Sequence, residues 1–419
     1  MRPSRSFLYQ CLASSFVTAA SSMVAVMTPL YAVSLGVEAQ WLGLLMALPG
    51  IIPVLLALQV GRWVDSIGVA RSFFLGIAGL LLSPLTVIVF PGIAALAAAR
   101  VLLGLFVLVF TLASQSLVAS LTNGKSHESN FGVQSTWLAG GRMVGPILVG
   151  TIIDGAGYRI SFAAVFAMVL VAAVLAYEVA RAAPRASGGR LRPSPLRKGA
   201  VSSTLRNVGL QMAVLTSAGV FLALTMREAF LPVMLEGMGM SATVIGSLVS
   251  LGSLTSVLIR PAMPAVIRLL GGAGNALVTS MVAVAVGVGL LSLAQSVAGF
   301  AALAVTVGLG TGIAFPLSIV SVASHVPLRD RGVALSLRLS FNSTVEIFGP
   351  MLSGVVVAAT SFRFGFAAAG VTLGCITLVS LAIVKRFNAG AILGEGAGTE
   401  RAGPQPEPER GGAVGAAED

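Results

Sequence analysis

Long apolar windows with almost no charge recur along this chain, separated by short polar loops that hold most of its Lys and Arg. The windows fall near 7 to 30, 41 to 60, 72 to 91, 93 to 121, 131 to 153, 159 to 180, 208 to 233, 242 to 259, 275 to 294, 298 to 323, 333 to 359 and 361 to 384. A helix of about 20 such residues crosses ~30 Å of hydrocarbon and satisfies its own backbone N–H and C=O groups, which lipid cannot do for it. The pattern predicts an all-α membrane protein with about twelve transmembrane helices.

The loops predict orientation. Arg2, Arg5, Arg62, Arg71, Lys125, Arg260, Arg268, Arg329, Arg331, Lys385 and Arg386 fall on one side, together with a basic cluster from Arg181 to Arg206. The other side shows Arg159 and Arg363. Short basic loops stay cytoplasmic, so both termini and the central loop are expected inside a bacterial-type inner (plasma) membrane. The apolar run from Phe7 continues past Thr28 without a small-residue cleavage site, so it reads as a retained first span.

The central stretch is rich in Arg, Pro, Gly and Ser and has no acid, which favours a mobile linker. It divides the chain into a six-helix bundle over 1–180, a basic cytoplasmic linker over 181–207, a second six-helix bundle over 208–386 and a disordered Gly/Glu/Pro-rich tail over 387–419. An internal repeat supports the division. Gly145, Pro146 and Gly150 return 204 residues later as Gly349, Pro350 and Gly354; Gly104 returns as Gly308; Gly43 and Gly68 return at an offset of 203 as Gly246 and Gly271. Two related halves are what a transporter needs if they rock about a central site; a duplication without that motion leaves the same trace.

Composition narrows the classes of function. Hydrophobic residues make up 56% and charged residues 10%, and the mean hydropathy is +0.96, so lipid is the solvent. A net charge of +11 suggests nucleic acid at first sight, but the basic residues sit in short loops without interleaved aromatics, and none is expected as a partner. The two cysteines, Cys11 and Cys375, lie in apolar windows near opposite ends, so no disulfide framework, metal site or cofactor is suggested. His127 and His325 lie in or beside loops, and Trp41, Trp63 and Tyr158 flank spans as interfacial anchors.

Three motifs carry chemistry. Between spans 2 and 3, GRWVDSIG places Gly61, Asp65 and Gly68 ahead of Arg71; an anionic Asp at a tight loop can latch against a helix N-terminus or an Arg. In span 4, ARVLLG sets Arg100 four residues before Gly104. In span 5, GRMVGPILVG holds Gly141, Gly145, Pro146 and Gly150, echoed in span 11 by Gly349, Pro350 and Gly354. Small residues at this spacing let helices touch closely, and the proline softens the helix, so a hinge and a close-packing groove are both open readings. These motifs resemble those of the major facilitator superfamily over about residues 7 to 386, with Ser66 where the family usually has Arg and Arg71 displaced from the usual basic pair. The resemblance implies the major facilitator fold of two pseudo-symmetric six-helix bundles, a monomer, a role for Arg100 in assisting proton movement, and, from the span 5 signature of the twelve-span drug and metabolite:proton antiporters, export.

Charges inside spans are costly and mark pathways. Arg100, Arg142, Arg227, Glu228 and Glu346 are such charges, and Arg142 and Glu346 stand 204 residues apart, each three residues before a Gly-Pro pair. Glu346 is the first candidate for proton coupling, then Glu228, with Arg100; a fixed salt bridge is the competing reading for Glu346. Arg142, Asn342, Gln115, Trp137 and Tyr31 are the candidates to line a substrate cavity. The expected function is proton-coupled efflux of a small organic molecule, such as a drug, secondary metabolite or siderophore-like compound, by alternating access. Uptake of an anionic metabolite by symport is the alternative. A membrane-embedded enzyme or sensor is a distant one, since no nucleophile, metal or acid–base constellation is present and no soluble domain is appended, so the chain is not expected to be an enzyme.

Overall fold

A computed structural model describes residues 5–120, 127–182, 207–326 and 331–394. Span 1 is Arg5–Ser34, span 2 Ala39–Ile67, and span 3 the broken pair Val69–Leu80 and Leu82–Val89. Span 4 is Ile93–Ser120, and spans 5 and 6 share the helix His127–Ala182. Span 7 is Val208–Gly237, span 8 Ala242–Leu258 followed by a short helical turn from Arg260 to Ala262 and the helix Met263–Leu269, span 9 Ala273–Leu290 and span 10 Val297–His325. Span 11 is Arg331–Ala359 and span 12 Phe362–Gly394. Eleven helices among the described residues are long and apolar enough to cross a membrane. One of them holds two crossings, because Gly157 takes φ 79°, ψ 177° and turns the chain between spans 5 and 6; a side chain there would be strained. Twelve crossings result, as the hydropathy pattern predicts.

Of the linker expected over 181–207, residues 183–206 lie outside the described residues, as do residues 395–419 of the tail expected over 387–419; the helix of span 6 runs on to Ala182, and span 12 runs eight residues past 386, to Gly394. Side-chain caps fix several helix starts. Asn207 Oδ1 accepts from the N–H groups of Gly209 and Leu210, and Ser296 Oγ accepts from Gly299 N–H.

Within each half the helices meet through glycine, and the two halves repeat the contacts. A Cβ on Gly104 in span 4 would strike the Pro49 carbonyl of span 2, and one on Gly308 in span 10 would strike the Gly252 carbonyl of span 8. Gly141 and Gly145 of span 5 lie against Ser15 and Ala19 of span 1, as Gly349 of span 11 lies against Leu222 and Thr225 of span 7.

Between the halves, two zips close the end of the bundle away from both termini. On span 2, Gly43 faces the carbonyl of Pro350 and the Cα of Gly354 on span 11. On span 8, Gly246 faces the carbonyl of Pro146 on span 5, and Gly150 faces the carbonyl of Ala242. The Gly-Pro motif of each half thus meets a glycine of the other. Span 5 stays helical through Pro146, its non-helical residue being Gly157, and the proline lies against span 8.

A clasp reinforces the second zip. The Asp154 carboxylate, at the end of span 5, accepts from the N–H groups of Ala242 (2.9 Å) and Thr243 (2.8 Å), the first turn of span 8. An anion at a helix N-terminus satisfies free donors and meets the positive end of the helix dipole. Losing a cap costs about 0.5–2 kcal/mol. Asp154→Ala is therefore expected to speed maleimide labelling of a Met240→Cys reporter about 2- to 30-fold, with Asp154→Asn in between; equal rates in all three would rule the clasp out.

Candidate functional site

Three of the charges inside the spans, Arg100, Glu228 and Glu346, gather behind the span 2–11 zip. Arg100, on span 4, is 6% exposed. Its Nη2 donates to the Met46 carbonyl of span 2 at 3.2 Å, while its Nε has no hydrogen-bond partner. The charges of Glu228, on span 7, and Glu346, on span 11, both act on it. Glu346 lies one turn below the zip: a Cβ on Gly50 of span 2 would stand 3.0 Å from Ile347 Cγ1 and 3.6 Å from Glu346 Cγ. The Glu228 and Glu346 side chains are exposed although they sit well inside their helices. One cation from the first half and two carboxylates from the second form a triad, and Glu228 also acts on Arg227, its buried neighbour on span 7, so the group as a whole is balanced in charge.

Arg142 and Glu346, symmetry mates in sequence, act on different partners. Glu346 acts on Arg100, whereas Arg142 is exposed and acts on Arg260 at the far end of span 8. Arg227 is buried within the second half, its Nη1 beside Gly252, in an apolar pocket with Leu248, Phe300 and Ala304. Ala304 stands 204 residues after Arg100, so span 7 supplies the second half with a guanidinium near the place that Arg100 takes in the first.

The cavity candidates separate. Asn342 is 3% exposed, and neither its Oδ1 nor its Nδ2 has a partner. Gln115 is exposed. Trp137 packs against Phe7, Cys11 and Val118 near the terminal end, and Tyr31 stacks with Tyr158 (5.2 Å between centroids) and Phe162 (5.4 Å) at the zipped end. In the loop between spans 2 and 3, Gly68 adopts φ 99° and divides the two helices, Gly61 has open space around it and Arg71 is exposed. The Asp65 side chain lies outside the described residues.

Two features escaped the sequence reading. Gln134 Nε2 donates to Ser114 Oγ at 2.8 Å, and Ser114 also accepts from Gln10 Nε2 at 3.0 Å, a buried polar cluster joining spans 1, 4 and 5. At the same offset of 204, Arg338 Nη2 of span 11 donates to Ser318 Oγ of span 10 at 2.7 Å, with the guanidinium 5.1 Å over the Phe315 ring. The repeat was the available signal: Gln134 and Ser114 map onto Arg338 and Ser318.

Two six-span bundles, related by a repeat, zipped at one end and carrying charges on the seam, define a membrane transporter fold. The sequence profile of the Major Facilitator Superfamily matches residues 11–274 and 229–408, and the chain belongs to that family of secondary transporters. Solved structures share the fold. A bacterial homolog of the human lysosomal transporter Spinster, inward-facing and unoccupied, aligns with a TM-score of 0.70 at 15% identity, covering 91% of this chain and 96% of its own. The nucleoside transporter NupG aligns at 0.74 and 15%, covering 90% and 99%. A peptide transporter in complex with sulfate aligns at 0.76 and 13%, covering 91% and 94%. No curated protein matches the sequence.

Proposed function

We propose that this protein is a proton-coupled exporter of a small organic molecule, working by alternating access in a bacterial-type inner membrane with both termini cytoplasmic. On that orientation the zipped end is outside, and the conformation is inward-open. The two halves, 1–180 and 208–386, are the rocking bodies, joined by the linker over 181–207, and a single chain is the working unit.

The observation that carries the reading is the triad. Arg100 belongs to one half, and Glu228 and Glu346 belong to the other, so rocking changes their separation and with it the free energy of a proton on Glu346. Protonating Glu346 removes its charge, so the carboxyl is less costly to keep at a dry, closed seam. Outward-open protein then loads a proton outside, closes the outer zips, and releases the proton inside as solute binds. The span 5 signature, built into an outer zip, supports export over import. The exposed Arg142 favours the second reading, uptake of an anionic metabolite.

Inverted vesicles with an acid interior and a pH-sensitive dye test the coupling. Solutes are expected to evoke proton release in the wild type, and Glu346→Gln is expected to reduce that release by about 10²-fold or more, the scale on which a positioned proton-transfer group acts. Full release in Glu346→Gln would move coupling to Glu228; no release with drugs, chelators or organic acids would favour uptake or another ion.

A further inference from the structure

The span 5–8 seam holds an unbalanced pair of cations. Pro146 and Gly150 of span 5 touch span 8, and Arg142 stands four residues before Pro146 on the same helical stripe. On span 8, Ala242 and Gly246 touch span 5. Arg260 opens the short helical turn that directly continues span 8, on the terminal side of those contacts. Side chains lean toward their own helix N-terminus. Span 5 starts at the terminal end, so the Arg142 side chain leans toward that turn from the opposite half. The charge acting on Arg260 is that of Arg142, Arg260 Nε is buried without a hydrogen-bond partner, and Arg142 is exposed.

From this we infer that Arg142 and Arg260 form an oxyanion-binding dyad for the transported solute, whose carboxylate, sulfonate or phosphate group bridges the two halves. The inference rests on the transporter reading above and names its substrate class. Two guanidiniums from opposite halves repel as the inner end closes; an anion between them reverses the sign of that interaction and offers two planar forks their preferred acceptor. The solute itself thereby permits inner closure, and an empty carrier stays inward-open. Because the ligand touches both halves, its affinity differs between states, the condition for shifting the equilibrium. An anionic lipid headgroup has the same chemistry, and the test separates the two sources.

The test uses full-length protein, delipidated in neutral maltoside detergent, with inorganic sulfate as the probe at constant ionic strength. Wild type is expected to bind sulfate, and Arg142→Gln and Arg260→Gln are each expected to weaken it at least about 10-fold, the loss of one charge-assisted contact. Arg142→Lys and Arg260→Lys keep the charge but lose the planar fork, and are expected to fall between wild type and the Gln variants. Citrate or benzoate is expected to compete with sulfate. The dyad is refuted if sulfate does not bind, or if both Gln variants bind it like wild type; a site from which phosphatidylglycerol displaces sulfate and soluble organic anions do not is a lipid site and also overturns the proposal. Ligand-free melting checks folding, since removing one of two like charges is expected to leave stability unchanged or raise it. Sulfate binding is independent of proton release, so loss of the dyad and loss of Glu346 coupling are separate results.

Discussion

Gly246→Leu is expected to reduce transport by about 5- to 150-fold while the protein still folds and inserts. The reason is steric. A Cβ at Gly246 already collides with the carbonyl of Pro146, and a backbone carbonyl cannot swing aside as a flexible side chain can. Overpacking of this kind costs about 1–3 kcal/mol. The cost falls only on the zipped conformation, because the contact joins two halves, so the substitution biases the conformational equilibrium and spares the fold of either half. Gly43→Leu, against Pro350 of span 11, is expected to act in the same way. Gly140→Leu is the control: nothing lies within 4 Å of a Cβ there, and transport is expected to persist. Vesicle transport, read beside maleimide labelling of a Thr360→Cys reporter at the zipped end, separates the outcomes. Lost transport with faster labelling supports the zip, and transport near wild type in Gly246→Leu refutes it.

Arg100→Gln carries the second large effect. Arg100 is buried, holds the Met46 carbonyl and is the cation on which Glu228 and Glu346 both act. Removing one member of a buried charge arrangement costs on the order of 3–5 kcal/mol, because the charges left behind have no compensation. The variant is expected to melt earlier and to lose coupled transport. The double variant Arg100→Gln/Glu346→Gln is the informative one. With one cation and one carboxylate removed together, the net charge is the same as in wild type, so stability is expected to recover by about 1–3 kcal/mol relative to Arg100→Gln alone, while proton coupling stays absent. Additive losses in a double-mutant cycle would show that Arg100 and Glu346 do not sense each other.

Much of this architecture is written in the sequence because lipid imposes a simple rule: windows such as 93 to 121 have to be helices, and the window at 131 to 153 has to end before the next crossing begins. The join between spans 5 and 6 is one helix by hydrogen bonding and two by direction, which only the positive φ of Gly157 settles. Glycines were legible as close approaches, but a glycine does not name its partner. Gly43 and Gly246 read as a repeat, and their role in facing Pro350 and Pro146 across the seam depends on tertiary placement. The charges were legible as a set, whereas their partners were not: Arg142 and Glu346 share a repeat position and act on different groups. Arg338 was passed over because it stands close to the start of span 11, where an Arg ordinarily reaches water; the structure buries it against Ser318 and Phe315.

The measurement that bears most directly on the central claim is the distance across the zipped end as a function of pH. Spin labels at Glu38 and Thr360, both exposed beside the span 2–11 zip, would be placed in a protein with Cys11 and Cys375 replaced. Double electron–electron resonance would then compare acid and alkaline samples of the wild type and of Glu346→Gln. The account predicts two distance populations, with the short one growing at acid pH in the wild type and insensitive to pH in Glu346→Gln. A single distance at every pH, or the same pH response in both proteins, would contradict it.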